Sequence, residues 1–383
     1  MTWGHCCGGK LRVPPEGFAV QRPFQGQTSR VLQPYCPLER VPLDAYQSVM
    51  SKRAKPTLVG LAKLAGVSVS TVSRALAGNE AISVATRQRV AMLARDHGFQ
   101  LNQAARNLRL KRTGAIGVVL PLGHETEQSL SDPFFMSLLG YLADYLTKRS
   151  YDLLLSRVIP TDEGWLDAIV DAGRVDGVII IGQSDQTPVI DAVAARYRNM
   201  VVWGAALPGG SQVTVGSDNF TGGRIAASHL LKQGRSRLAF FGNPAVPEFA
   251  ARLEGFNQVL AEKGANQCEV LPVHLTTEAS YEAIASFLAT RPLPDGIFAA
   301  SDVIAMSALR ALDAVGCRVP QDVSVIGYDD IMLARFTSPP LTTVRQDVAD
   351  GARLLVDTLF RRMAGEDVGS SVLAPVMILR QSA

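Results

Sequence analysis

Leu61-Ala62-Lys63-Leu64-Ala65-Gly66-Val67-Ser68-Val69-Ser70-Thr71-Val72-Ser73-Arg74 sets an apolar helical segment, a single glycine and a serine-led second segment in immediate succession. Just upstream, Thr57 can cap the first helix, whose apolar stripe is Leu58, Leu61, Ala62, Leu64 and Ala65, and Gly66 ends it. Ser68 can cap the second, Val69 to Leu76, with Val72 and Ala75 or Leu76 turned inward and Val69, Ser70, Ser73 and Arg74 turned out. Downstream, Ser83 caps a third helix that carries Val84, Val90, Met92, Leu93 and Ala94 and stops at His97-Gly98, where glycine supplies the left-handed terminal residue. A helix, a tight turn and a second capped helix let one helix enter the major groove of DNA while its partner crosses the backbone.

The outward side chains of the second helix suit that task. Val69 can meet a thymine methyl, Ser70 can make a flexible hydrogen bond to a base, and Arg74 can reach guanine or a phosphate. Thr71 and Ser73 are placed to hold phosphates, which orient without specifying sequence. With the caps Thr57 and Ser68 they form the expected DNA-binding set of this head. The competing reading is a three-helix protein-interaction module with a solvated basic face.

Charge separates along the chain in the same sense. The formal net charge is only +3, yet residues 50 to 113 hold twelve basic side chains against Glu80 and Asp96. Residues 114 to 383 hold 21 basic and 30 acidic side chains, so a phosphate-binding footprint is joined to an acidic body. Asn102-Gln103-Ala104-Ala105-Arg106-Asn107-Leu108-Arg109 then reads as a two-turn helix capped by Asn102, with Ala105 and Leu108 on one face, too short to be stable alone.

Residues 1 to 49 contain six prolines and lack helical or strand periodicity, and read as a disordered extension. Met50, directly before a basic Ser-Lys-Arg-Ala-Lys run, is the expected translation start, so that 1–55 is an extension to the head. Intact-mass analysis of protein from the native gene context tests this. The five cysteines lack zinc-ligand spacing, no apolar run of about 18 residues is present, and no secretory signal opens the chain, so a cytoplasmic protein without a membrane partner is expected. Cys268 and Cys317 read as small core residues.

From Ala115 onward apolar strands alternate with amphipathic helices. The strands are Ala115 to Leu120, Leu153 to Leu155, Gly177 to Ile181, Val201 to Trp203, Leu238 to Phe241, Gly296 to Ala300 and Val323 to Ile326. Continuous apolar runs of this kind indicate parallel sheets covered on both faces, with ligands bound beyond the C-terminal strand ends. A helix starts after Ser131-Asp132-Pro133 and places Phe134 and Phe135 at the mouth of the first strand, where an aromatic face suits a sugar or a flat base.

Val-Ser-Val-Ser-Thr-Val-Ser-Arg-Ala-Leu, residues 67 to 76, closely resembles the signature of the lactose-repressor/galactose-repressor (LacI/GalR) family, and later elements follow in order through residue 382. The resemblance implies a small all-α helix-turn-helix head (56–100), a hinge (101–113) and a two-lobed, periplasmic-binding-protein-like α/β sensor with parallel sheets (114–383). Its first lobe would span about 114–216 and 346–375, and its second about 217–345. It places base contacts at Val69, Ser70 and Arg74, and hinge contacts at Asn102, Ala105 and Leu108, with Leu108 as a minor-groove wedge; the plain reading is a charged linker.

In the sensor it implies effector contacts from Phe134, Trp203, Arg252 in Ala251-Arg252-Leu253-Glu254-Gly255-Phe256, and Asp329 in Gly327-Tyr328-Asp329-Asp330, with Ala300-Ser301-Asp302 as a further polar corner. Arginine and aspartate can satisfy vicinal hydroxyls, although the two could instead form a structural ion pair. Two departures concern this site: Ser301 stands where many members have Asn, and Gly204 where some have an acidic residue. Trp203 with Phe134 would suit a pyranose. The implied function is a sequence-specific transcriptional regulator, a repressor acting on a pseudo-palindromic operator as a homodimer or tetramer, controlled by a mono- or disaccharide. A heptad tail for tetramerisation is not evident. A same-family purine or nucleoside sensor and a non-regulatory sugar-binding protein are the alternatives. No phosphate loop, dinucleotide fingerprint, nucleophile elbow or metal cluster points to an enzyme or a cofactor.

Overall fold

The computed structural model describes residues 57–99, 112–122, 130–183, 185–206, 209–273 and 276–383. The 1–55 extension and the hinge contacts Asn102, Ala105 and Leu108 lie outside them. The chain divides into two units, Met1–Gln100 and Leu101–Ala383.

Among its described residues the first unit holds three helices: α1 (Leu58–Ala65), α2 (Val69–Leu76) and α3 (Val84–Asp96). Each cap acts as its side-chain chemistry dictates. Thr57 accepts from the Gly60 amide at 3.1 Å, Ser68 from Thr71 at 3.1 Å and Ser83 from Thr86 at 3.3 Å. Gly66, at φ 62°, provides the left-handed turn after α1, and Gly98 does so after α3. Leu61, Ala62, Ala65, Val72, Ala75, Val90 and Ala94 form the core. Three residues expected on the buried stripes are exposed instead: Leu64, Val84 and Met92. In α1 the core face is centred on Leu58, Leu61, Ala62 and Ala65, so Leu64 falls on its margin. Val84 opens α3 before the helix meets its partners.

The second unit holds two six-stranded sheets. The first lobe runs β1 (Ala115–Pro121), α4 (Pro133–Lys148), β2 (Asp152–Val158), α5 (Trp165–Val170), β3 (Gly177–Ile181), α6 (Thr187–Arg196), β4 (Met200–Trp203) and β5 (Thr214–Ser217). The second runs α7 (Asn219–Lys232), β6 (Leu238–Phe241), α8 (Pro247–Glu262), β7 (Glu269–Leu271), α9 (Thr277–Thr290), β8 (Gly296–Ala299), α10 (Asp302–Ala314), β9 (Ser324–Asp329) and, after a 3-10 turn at Met332–Arg335, β10 (Thr342–Arg345). The chain then returns to the first lobe with α11 (Val348–Met363) and β11 (Ser371–Leu373), and ends with β12 (Val376–Ile378) in the second sheet.

Strand orders are β11-β5-β4-β3-β1-β2 and β12-β10-β9-β8-β6-β7. Every pair is parallel except β10 with β12, so the parallel sheets expected from sequence carry one antiparallel edge strand. The chain passes between the sheets three times: after β5, after β10 and after β11. Apolar clusters cover both faces of the first sheet, and a large one fills the second lobe around Phe240, Phe241, Phe256, Phe298 and Tyr328. Strand order reverses beside β1 in the first sheet and beside β6 in the second, and such reversals open a crevice at the C-terminal strand ends.

Candidate functional site

The outer face of α2 is built by its own periodicity. Burying Val72 and Ala75 turns Val69, Ser70 and Arg74 to solvent and leaves Thr71 and Ser73 half-buried beside them. Ser68 bonds with both the Ser70 and Thr71 hydroxyls at 2.8 Å, a polar cluster at the helix N-terminus suited to phosphate. The Arg74 Nε–H rests on the Ser70 carbonyl at 3.4 Å, a long bond that leaves the guanidinium tip free to reach outward. Thr57, at the start of α1, is spent on its cap through Oγ1.

In the second unit one cavity lies at the carboxyl ends of both sheets. It is lined from the first lobe by Pro121, Leu122, Asp132, Phe134, Phe135, Ile181, Gly182, Trp203 and Gly204, and from the second and the crossings by Ser217, Asn219, Val246, Glu248, Phe249, Arg252, Ser301, Asp329 and Gln346. All five effector residues expected from sequence, Phe134, Trp203, Arg252, Ser301 and Asp329, line it. Asp132 starts α4 by accepting the Phe134 amide at 2.8 Å, which fixes Phe134 with its ring 6.1 Å from that of Trp203.

Arg252 is 4% exposed. Its Nε–H donates to Asn219 Oδ1 at 2.8 Å, Nη1–H donates to the Ala300 carbonyl, and the guanidinium lies 3.6 Å from the centre of the Tyr328 ring. Its protein partners are thus an amide and a carbonyl, and Nη2 has no protein acceptor among the described residues. Asp329 sits at the end of β9 with φ 116°, a backbone state that non-glycine residues rarely adopt. The Gln346 amide donates to its Oδ1 at 2.6 Å, tying a crossing segment to the cavity wall. Burial pushes the Asp329 carboxyl up to about 7, against the lowering effect of the Arg252 charge. Ser301 caps α10 by accepting the Ile304 amide at 3.3 Å and retains its own O–H for a ligand. Asp302, read from sequence as part of the same polar corner, does not face the cavity. It is fully buried, with its oxygens accepting from the Thr343 hydroxyl at 2.6 Å and the Ile331 amide at 2.9 Å; burial raises its pKa, and the nearby Asp329 charge adds to the rise.

Residues 57–102 match the family described as bacterial regulatory proteins, lacI family, and residues 227–383 match a periplasmic binding protein-like domain. The chain is 32% identical over 331 residues to the HTH-type transcriptional regulator CelR of Thermobifida fusca, covering 83% of this chain and 94% of that protein. The chain belongs to the LacI family. The fold of the cellobiose complex of the transcriptional regulator CelR matches with a TM-score of 0.62 at 29% identity, over 86% of this chain and 100% of that one. The Lac repressor dimer bound to operator and the anti-inducer ONPF matches in fold with a TM-score of 0.72 at 24% identity, over 85% and 98% of the two chains. As a LacI-family member the protein is a DNA-binding transcriptional regulator, and its relatives are regulators rather than enzymes. Among the described residues no helix is long and apolar enough to cross a membrane.

The family departure at Gly204 has a local cause. A Cβ there would lie 2.6 Å from Gln183 Oε1, whose amide is locked by bonds to Ala205 and Gln212, so the acidic residue of other members has no room here. Sequence reasoning missed Asn219, Glu248, Phe249 and Gln346. Phe249 carried a signal, because Pro247 opens α8 just as Pro133 opens α4 and each helix brings an aromatic ring to the cavity in its first turn. Asn219 follows β5, Thr-Val-Gly-Ser, which has no apolar run to betray a strand.

On the DNA side, Arg74→Ala is expected to reduce discrimination between a specific and a scrambled operator by about 5- to 150-fold. Competition anisotropy at fixed salt measures the ratio, and an unchanged ratio would show that Arg74 does not read bases.

Proposed function

We propose that this regulator is a repressor whose affinity for a pseudo-palindromic operator is set by a mono- or disaccharide held between the two sensor lobes, acting as a non-catalytic cytoplasmic homodimer at the nucleoid. The observation that carries the reading is the convergence of Phe134, Trp203, Arg252, Ser301 and Asp329 on one cavity, in a chain that also carries a helix-turn-helix head. Aromatic faces for a pyranose, a guanidinium with a spare N–H edge and a carboxylate able to accept two hydroxyls form the donor set a buried polyol needs. The Thermobifida CelR relative, whose solved structure contains cellobiose, supports the same ligand class. Closure around three crossing segments supplies the two-state element through which ligand and operator are coupled.

A dimer is supported by the apolar surface. Met332 and Phe336 are 70% and 73% exposed, Tyr141 of α4 lines a recess with Met332, and edge strand β2 presents Leu154 and Leu155 to solvent. Exposed apolar side chains on both lobes, together with an edge strand, suit a self-complementary two-fold contact. Phe336→Asp is expected to weaken self-association by about 100-fold or more. Sedimentation velocity across a concentration series reads it, and a variant dimer as tight as wild type would remove this face from the interface.

The deciding experiment is fluorescence anisotropy on a labelled palindromic operator pool at fixed salt, with and without a panel of mono- and disaccharides. Salt-sensitive, sequence-selective binding shifted by one sugar is expected. Operator binding that no saccharide of the panel shifts would overturn the proposed saccharide control.

The Asp329 carboxyl adds a pH signature. Hydroxyl donors favour its ionised form, so binding lowers a carboxyl that titrates at about 7 in the free protein and releases a proton. Saccharide affinity is therefore expected to level off above pH about 7 and to fall about tenfold per unit below it. Calorimetry in buffers of differing ionisation heat checks both slope and proton release; a pH-independent affinity would remove Asp329 from direct contact.

A further inference from the structure

Four helices begin at the cavity: α4 through Asp132, Phe134 and Phe135, α7 through Asn219, α8 through Val246, Glu248 and Phe249, and α10 through its cap Ser301. Helix N-termini carry partial positive charge and free amides, so a converging set is ordinarily a welcoming place for a phosphate. Here the chain has put its own acids at those ends. Asp132 caps α4, Asp218 caps α7, and Glu248 occupies the first turn of α8, where no side-chain cap is made.

The charge balance of the lining agrees. Among the described residues that line the cavity, the carboxylates Asp132 and Glu248, joined by Asp329 as it ionises above pH about 7, are set against a single cation, Arg252. Arg252 has already committed Nε and Nη1 to Asn219 and Ala300 and sits over the Tyr328 ring, so it offers an edge for a hydroxyl rather than an open fork for an anion. The half-buried Glu248 carboxylate has no protein donor among the described residues, and so is available to a ligand. Two further cations, Arg335 and Arg345, line the neighbouring recess; Phe134, Asp329 and Gln346 line both spaces and stand between them.

We propose that the cavity takes uncharged or cationic saccharides and rejects anionic ones, with Glu248 as the residue that enforces the distinction. The inference rests on the proposed sensing of a saccharide and narrows it. An entering phosphate or carboxylate would give up its hydration to face like charges, whereas neutral hydroxyls donate to the same carboxylates and an ammonium group is attracted to them.

The test is calorimetry and thermal shift on the full chain with matched probes: glucose, glucosamine and glucose 6-phosphate; ribose and ribose 5-phosphate; cellobiose and its 6′-phosphate. The neutral member of the responsive set is expected to bind at least about 100-fold more tightly than its phosphate. Glu248→Gln, a near-isosteric change at a half-buried position, is expected to narrow that ratio by about tenfold. A phosphorylated probe binding as tightly as its neutral counterpart, or a ratio untouched by Glu248→Gln, overturns the proposal while leaving saccharide sensing standing. Should hypoxanthine bind in place of any sugar, saccharide sensing fails instead. The charge rule is then read from hypoxanthine against inosine 5′-monophosphate, with equal affinity overturning it.

Discussion

Arg252→Ala abolishes the response to the effector and leaves operator binding in place: this is the expected result, with saccharide affinity reduced at least about 30-fold. The magnitude follows from what the side chain does. It is almost fully buried, is held by Asn219 and the Ala300 carbonyl, and is stacked on Tyr328, so its free edge is presented at a fixed position. Removing one partner of a desolvated, charge-assisted contact costs about 2–5 kcal/mol of binding. The same change orphans Asn219 Oδ1 and the Ala300 carbonyl and lowers stability by about 1–3 kcal/mol for each group left dry.

Loss of response must therefore be separated from loss of fold. Arg252→Lys keeps the charge but replaces the planar fork with a compact ammonium, which does not reproduce the fixed spacing of the guanidinium N–H groups toward Asn219, Ala300 and a ligand. It should fold better than the alanine variant and still bind saccharide weakly. Anisotropy on the operator, with and without the identified effector, supplies the readout for both. An Arg252→Ala protein that still responded normally would mean that the effector site lies elsewhere.

The head was legible because local chemistry and long-range packing agree there. Thr57, Ser68 and Ser83 are caps in sequence and caps in the structure, and Gly66 and Gly98 stand where left-handed residues are needed. The central strands of both sheets were legible as apolar runs, since both faces are covered. What escaped were short edge or crossing strands. Thr342-Thr343-Val344-Arg345 is half polar, and its Thr342 and Thr343 are fully buried because their hydroxyls find partners in Ala383 and Asp302. Periodicity cannot announce a buried threonine whose partner is 41 residues away. The cavity divides in the same way. Phe134 could be placed from its own Asp-Pro helix start, but Arg252 and Asp329 were reached through the family resemblance. Their geometry depends on Asn219, Gln346 and a positive φ that no local pattern encodes.

A second large effect is expected far from any ligand atom, at the crossing of α7 and α8. There the two backbones touch through glycine: a Cβ on Gly223 would lie 1.9 Å from the Arg252 carbonyl oxygen, and one on Gly255 would lie 2.0 Å from that of Phe220. The obstacles are backbone atoms, so no rotamer change relieves them and the helices must move apart. Gly255→Ala is therefore expected to destabilise the protein by about 3 kcal/mol or more, against the usual gain when alanine replaces a helical glycine. Gly140 of α4, exposed and with open space for 4 Å around the point where a Cβ would stand, is the control. Gly140→Ala should stabilise by about 0.5–1 kcal/mol. Because Asn219 begins α7 and Arg252 lies on α8, separating the helices also pulls the 2.8 Å bond between them apart. Saccharide affinity should then fall together with stability in Gly255→Ala and stay level in Gly140→Ala. Urea unfolding and calorimetry on the two variants decide it. If Gly255→Ala proved as stable as Gly140→Ala, the close helix crossing could not be what sets Arg252 in the cavity.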